Sequence, residues 1–250
     1  MNTRYRLDEK VAVVTGCASG VGESVAKLFS ELGAKVLAVD VNGDGLATAM
    51  DRIDNVACLS IDVTANGAEE EIVNAALEHF DQIDIVINNA GRVIYAEIDE
   101  LTDEIWDMHL NVNVTAAMRI CRSAASELRK RPFGRIVNIG SAVTMRSSPG
   151  LAAYTASKNA LEGLTRVLSQ ELLPDITVNC IHPGNILSGM TIPLMEKDPS
   201  LKERYENFSP MGRQALPEDI SHAALFLCLE ASSYINGIGL NVDGGYVASG

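Results

Sequence analysis

Apolar residues along the chain fall into short, nearly unbroken runs separated by longer amphipathic stretches. "VAVVT" (11–15), "KVLAVD" (35–40), "VACLSID" (56–62), "IDIVIN" (83–88), "GRIVNIG" (134–140), "ITVNCI" (176–181) and "GIGLNV" (237–242) read as strands. Runs without a polar alternate position belong to strands buried on both faces of a parallel sheet. "VGESVAKLFSELG" (21–33) sets Val21, Val25, Leu28, Phe29 and Leu32 on one helical face and closes at Gly33. Further helices are predicted over about 66–80, 102–131 and 151–172, the last ending ahead of Pro174. Strands alternating with helices predict an α/β fold: a single doubly wound domain over 1–250, its seven-stranded parallel sheet flanked by helices. Only 183–216 breaks the alternation, and it carries Pro183, Pro193, Pro199 and Pro210. An irregular stretch of that length predicts a substrate lid at about 185–212.

Composition narrows the partners. The chain has 250 residues, 47% hydrophobic, with a net charge of -13. It can bury a substantial core without staples, and its acidity argues against nucleic acid or an anionic membrane as a partner. A local exception is the basic set Arg119, Arg122, Arg129, Lys130, Arg131 and Arg135, read as a solvated helix end or, alternatively, a dock for an acidic partner. Cys17, Cys58, Cys121, Cys180 and Cys228 show no paired spacing, which predicts reduced thiols and a cytoplasmic protein. "MNTRYRLDEK" has no apolar signal-like core, and no apolar run approaches a membrane span. His79, His109, His182 and His222 lack metal-ligand spacing with the cysteines, so no metal site is expected.

Two groups of residues carry candidate chemistry. "TGCASGVG" (15–22) follows the first strand and opens the first helix. Its glycines let the backbone approach a ligand, and the helix N-terminus offers free N–H groups to a pyrophosphate. Asp40 ends the second strand, where a carboxylate accepts hydrogen bonds from an adenosine ribose and repels a 2′-phosphate. No lysine or arginine lies in the glycine loop, so NAD is expected over NADP. Asp62 ends the third strand and "NNAG" (88–91) the fourth. Further along, Tyr154 and Lys158 are four apart in "YTASK" (154–158), one turn apart on a helix face. A phenol, with a reference pKa of about 10, is a poor base unless a nearby cation lowers it. Ser141 and Asn113 add a hydroxyl donor and an amide upstream, a set suited to proton exchange with a carbonyl oxygen.

Taken together, TGCASGVG, Asp40, NNAG, Asn113, Ser141 and YTASK resemble the short-chain dehydrogenase/reductase family over almost the whole chain. The resemblance implies a Rossmann-like fold with a seven-stranded sheet, assembled as a homotetramer or dimer. It implies Tyr154 as general acid/base, Lys158 on the nicotinamide ribose lowering the tyrosine pKa, Ser141 on the substrate oxygen and Asn113 in a proton relay. Gly16, Ser19, Gly20, Val21 and Gly22 would line the cofactor phosphates. Asp62 and Val63 would meet the adenine, and Asn89, Ala90 and Gly91 would flank the cofactor's middle. Pro183, Gly184, Ile186 and Ser188 would contact its nicotinamide end. By position alone, Val143 after Ser141 and Met190 in the expected lid are candidates to face the substrate. Three positions depart from the family's common pattern: Ser188 for threonine, Ala116 for glycine, and His182 for an apolar residue. The expected activity is NAD-dependent interconversion of a secondary alcohol and a ketone. The alternatives are a 3-oxoacyl carrier-protein reductase using NADPH, against which Asp40 counts, and a non-catalytic NAD-binding regulatory protein.

Overall fold

The computed structural model describes residues 5–187 and 206–249. Seven parallel strands form one sheet in the order β3-β2-β1-β4-β5-β6-β7. They are β1 (Val11–Thr15), β2 (Lys35–Asp40), β3 (Val56–Ser60), β4 (Ile85–Asn88), β5 (Gly134–Ile139), β6 (Ile176–Pro183) and β7 (Gly239–Val242). The helices are α1 (Gly20–Glu31), α2 (Gly43–Ala49), α3 (Ala68–Phe80), α4 (Asp103–Leu110), α5 (Ala116–Leu128), α6 (Ala152–Glu171) and α7 (Pro217–Cys228).

Successive strand residues serve opposite faces, which explains why the strands lack polar alternation. Ala12 and Val14 join Val36, Ala38, Ile85, Ile87 and Ile181 in a core with Val25 and Phe29 of α1 and Ile220 and Leu227 of α7. Val13, Leu37, Val86, Ile136 and Val178 face the other way, onto Ile72 of α3, Ile120 and Ala124 of α5 and Leu172. The sequence pattern placed all seven strands; β3 stops at Ser60, and β7 starts at Gly239.

Three helical features differ from expectation. α2 is short and was not predicted; Asn42 starts it, its side chain accepting from the Gly45 amide at 3.1 Å. α7 follows the irregular stretch and was also not predicted, although Pro217 at its first turn with Glu218 and Asp219 is a regular helix start. The long helix expected over 102–131 is interrupted by a π-helical turn, Asn111–Thr115, between α4 and α5. Such turns recur at functional sites because the extra residue redirects side chains.

The chain winds from β1 to β3 in one direction and from β4 to β7 in the other. The sheet order therefore reverses between β1 and β4, and open parallel sheets bind ligands at the carboxyl ends flanking such a switch point.

Candidate active site

The glycine loop occupies that switch point. Gly16 and Gly20 adopt φ of 75° and 63°, values that favour glycine. A Cβ on Gly16 would lie 2.7 Å from Asn89 Nδ2, and one on Gly22 would overlap the Gly16 carbonyl. α1 therefore begins close against the loop, with the amides of its first turn unpaired within the helix. Ser19 stands at the N-cap position, and its side chain makes no capping bond.

Neighbouring polar groups hold this cradle rather than project freely into it. Asn89 donates from Nδ2 to the carbonyls of Thr15 (2.9 Å) and Gly16 (3.1 Å). The Thr15 hydroxyl accepts from the amides of Asn89 and Ala90, both at 3.0 Å, stitching β4 to β1. Asp40 Oδ2 accepts from the Ala18 amide and Oδ1 from the Asn42 amide, both at 2.9 Å. Each carboxylate oxygen keeps a further lone pair. Asp62 accepts from the Thr64 amide (2.8 Å) and hydroxyl (2.7 Å), bonds that hold its carboxyl below the usual range. The Val63 side chain is buried in the core with residues of α3 and α5.

The chemical residues gather one strand along. The π turn places Asn113, 1% exposed, beneath the loop after β4. Its Oδ1 accepts from the Arg92 amide (2.8 Å), and Nδ2 donates to the Arg92 carbonyl (3.0 Å) and to Ser157 Oγ (2.9 Å). Ser157 in turn donates to the Tyr154 carbonyl at 2.7 Å. The buried Lys158 donates from Nζ to the Ile139 carbonyl at 2.7 Å, bracing the end of β5 just ahead of Ser141. A Cβ on Gly91 would lie 3.3 Å from Asn113 Oδ1 and 3.5 Å from Lys158 Nζ, so Gly91, Asn113 and Lys158 converge.

The electrostatics differ from the simple tyrosine–lysine expectation. Burial pushes the Tyr154 phenol up to about 12; the hydrogen-bonding Ser141 hydroxyl opposes that rise and Tyr95 adds to it. The Lys158 ammonium is 5.7 Å from the Tyr154 ring centroid and bonded to Ile139, and burial pulls it down to about 8. Desolvation thus moves both groups toward their neutral forms.

Ser141 Oγ accepts from the Val143 amide at 3.3 Å, in a 3₁₀ turn that leaves both side chains partly exposed. Pro183 ends β6, and the Gly184 amide bonds Val242 at 3.1 Å. Ile186 bridges Ala215 and packs on the α1–α7 core. Ser188, Met190 and most of the expected lid lie outside the described residues.

Several residues at the site escaped the sequence reading. Ser157 was visible in YTASK only as a small residue, and Thr15 only as a strand end. Arg146 donates to the Tyr246 carbonyl at 2.8 Å and lies over its ring at 4.5 Å; that ring stacks edge-on against Phe208 at 5.6 Å. The C-terminal segment thereby joins the loop after Ser141 to the last residues of the stretch expected as the lid, a contact with no local sequence signature. The basic set is dispersed: Arg122 pairs with Glu69, Lys130 with Glu127, and Arg135 is buried with its guanidinium over Phe133. Among the described residues no three His, Cys, Asp or Glu converge as metal ligands, and no helix is long and apolar enough to cross a membrane.

Residues 16–247 match the profile of the family described as enoyl-(acyl carrier protein) reductase. The chain is 37% identical to a 3-oxoacyl-(acyl-carrier-protein) reductase of Chlamydia trachomatis, covering 96% of this chain and 98% of the relative. It is 33% identical to an NAD-dependent glycerol dehydrogenase of Listeria innocua, over 97% and 95% of the two chains. The crystal structure of a Sinorhizobium meliloti protein described as a short-chain alcohol dehydrogenase superposes with a TM-score of 0.92 at 32% identity, covering 98% of each chain.

Proposed function

Because this chain belongs to the short-chain dehydrogenase/reductase family, we propose that it is an NAD-dependent oxidoreductase that interconverts a secondary alcohol and a ketone. The observation that carries the reading is the grouping of Ser141, Tyr154, Lys158 and Asn113 beside the glycine cradle at the β1–β4 switch point. The cradle fits a dinucleotide: Gly16, Gly20 and Gly22 present backbone without side chains, and the first-turn amides of α1, without partners inside the helix, can receive phosphate oxygens. Gly16, Ser19, Gly20, Val21 and Gly22 would hold the pyrophosphate, and Asp40 the adenosine ribose. When bound, the nicotinamide supplies or accepts the hydride.

The chain's own residues manage the proton. Tyr154, a neutral phenol in this environment, donates its proton to the ketone oxygen during reduction. Ser141 hydrogen-bonds the same oxygen and stabilises the charge developing on it. Lys158 stands near the phenol and holds the end of β5 that carries Ser141. Asn113 fixes the Arg92 backbone and, through Ser157, the Tyr154 backbone.

NAD preference is supported by the Asp40 carboxylate and by a cradle without a cationic side chain. Similarity to an NAD-dependent glycerol dehydrogenase favours the alcohol reading. Similarity to a 3-oxoacyl carrier-protein reductase keeps that reaction as the second reading. The test is binding of NADH and NADPH to the purified protein, followed by nicotinamide absorbance with a panel of secondary alcohols, ketones and an acetoacetyl thioester. Tighter NADH binding with turnover of alcohols or ketones is expected. Tyr154→Phe should still bind NADH but lose roughly a hundred- to ten-thousandfold in kcat. Preference for NADPH with thioester turnover would replace the first reading by the second, and full activity in Tyr154→Phe would refute both.

A further inference from the structure

His109 makes well-formed contacts beside the active site that the proton chemistry above does not use. It lies in the last turn of α4, and none of its surface is exposed. Its Nε2 is 3.1 Å from the Ile94 amide nitrogen, and its Nδ1 is 2.7 Å from the Ile105 carbonyl oxygen. A backbone N–H only donates and a carbonyl only accepts. Nε2 is therefore the acceptor, and the proton sits on Nδ1. Both ring nitrogens are thus taken up by backbone partners, and the two bonds fix the orientation of the ring.

What these bonds hold is the segment after β4. His109 and Asn113 are four apart on one side of the helix, across the entry to the π turn. Asn113 binds both backbone groups of Arg92, and His109 binds the amide of Ile94, two residues on. The far end of the segment is fixed to the start of α6: the Ala96 amide donates to the Gly150 carbonyl at 2.9 Å, and Ala96 bridges Leu151. Residues 92–96 thus form a strap from the π turn to the start of the helix that bears Tyr154. The strap also carries Tyr95, whose phenol, if ionised, would oppose ionisation of Tyr154. The His109 ring itself meets the Tyr154 ring edge-on, with centroids 6.1 Å apart at 65°.

We propose that His109 is a positioning residue for Tyr154, fixing the phenol by ring contact and by anchoring the 92–96 strap through Ile94. The proposal rests on Tyr154 being the proton donor of the reaction proposed above. His109→Phe keeps a ring of similar size and removes both hydrogen bonds. His109→Gln offers one acceptor and one donor on an amide. With the best substrate from the panel, His109→Phe should lose at least about tenfold in kcat at unchanged melting temperature and unchanged NADH affinity, while His109→Gln should recover most of it. By hydrogen exchange, the backbone of 92–96 should lose protection in His109→Phe and keep it in His109→Gln, a measurement that needs no substrate. Wild-type kcat and wild-type protection in His109→Phe would overturn the proposal, as would a Gln variant as impaired as the Phe variant. Tyr154→Phe separates the two readings: if it is inactive while His109→Phe is unimpaired, only the positioning role fails; if it is fully active, the reaction assignment fails instead.

Discussion

His182 shows how one residue can fit the fold closely and still remain titratable. It is 1% exposed and lies between Gly140 and Gly239, where an added Cβ on either glycine would press on the imidazole. Its Nε2 is 3.7 Å from Glu162 Oε2, while its buried Nδ1 has no hydrogen-bond partner of good geometry among the described residues. Burial lowers its pKa; Glu162 and the Ser141 backbone oppose that shift, and Lys158 and Arg166 reinforce it. Between this lowered pKa and the unfolded value of about 6.5, the unfolded chain holds a proton that the folded chain does not. Folding therefore loses stability as pH falls through that window. His182→Leu, similar in bulk and unable to titrate, should flatten this part of the curve, by about 1.4 kcal/mol for each unit of pKa depression. Denaturant melts of both proteins between neutral and mildly acidic pH measure the difference; parallel curves would mean that His182 titrates normally.

At the scale of elements, the first turn of α1 and the π turn do the most to shape the site. Gly22 lies where α1 leaves the loop, and any side chain there meets the Gly16 carbonyl and the Asn89 amide. Gly22→Ala raises intrinsic helix propensity, so propensity alone predicts a gain in stability. The contact argues the reverse, because the obstacle is backbone and cannot swing away. The expected result is a loss of about 1–3 kcal/mol in denaturant unfolding, together with weakened NADH binding by calorimetry. Unchanged affinity would show that the cradle tolerates a wider loop. The π turn was invisible in the sequence for a definite reason. Its residues, "NVNVT", have no propensity that separates a π turn from an α turn, and the difference lies in how Asn113 is drawn toward Arg92 and Ser157.

At the scale of the molecule, two cores on opposite faces hold the strand ends in register. α7 completes one of them from far along the chain, with Leu227 1% exposed against the α1 side and Ser24 bonded to Ser221 at 2.9 Å. Leu227→Ala should cost about 2–5 kcal/mol in urea unfolding and leave the NADH-over-NADPH ratio unchanged, because no group at the cradle moves with it. A change in that ratio would mean that the α1–α7 packing tunes the cofactor end.

The division between what sequence determined and what folding decided follows from the range of the forces involved. Burial on both sheet faces is written locally, as continuous apolar strands, so the seven strands, the doubly wound class and the glycine turn at β1 were all legible. The order and spacing of Asn113, Ser141, Tyr154 and Lys158 carried the family and its reaction class. Desolvation and long-range contacts were not legible, because both depend on which distant segments come to surround a group. Only the tertiary structure shows the Lys158 ammonium bonded to Ile139, the Tyr154 phenol pushed up by burial and the Val63 side chain turned into the core. Only there do His109 and Asn113 meet the strap at 92–96, and only there does the C-terminal Tyr246 reach Arg146 and Phe208. Each of these joins residues far apart along the chain, and no local pattern of polar and apolar positions records such a pairing.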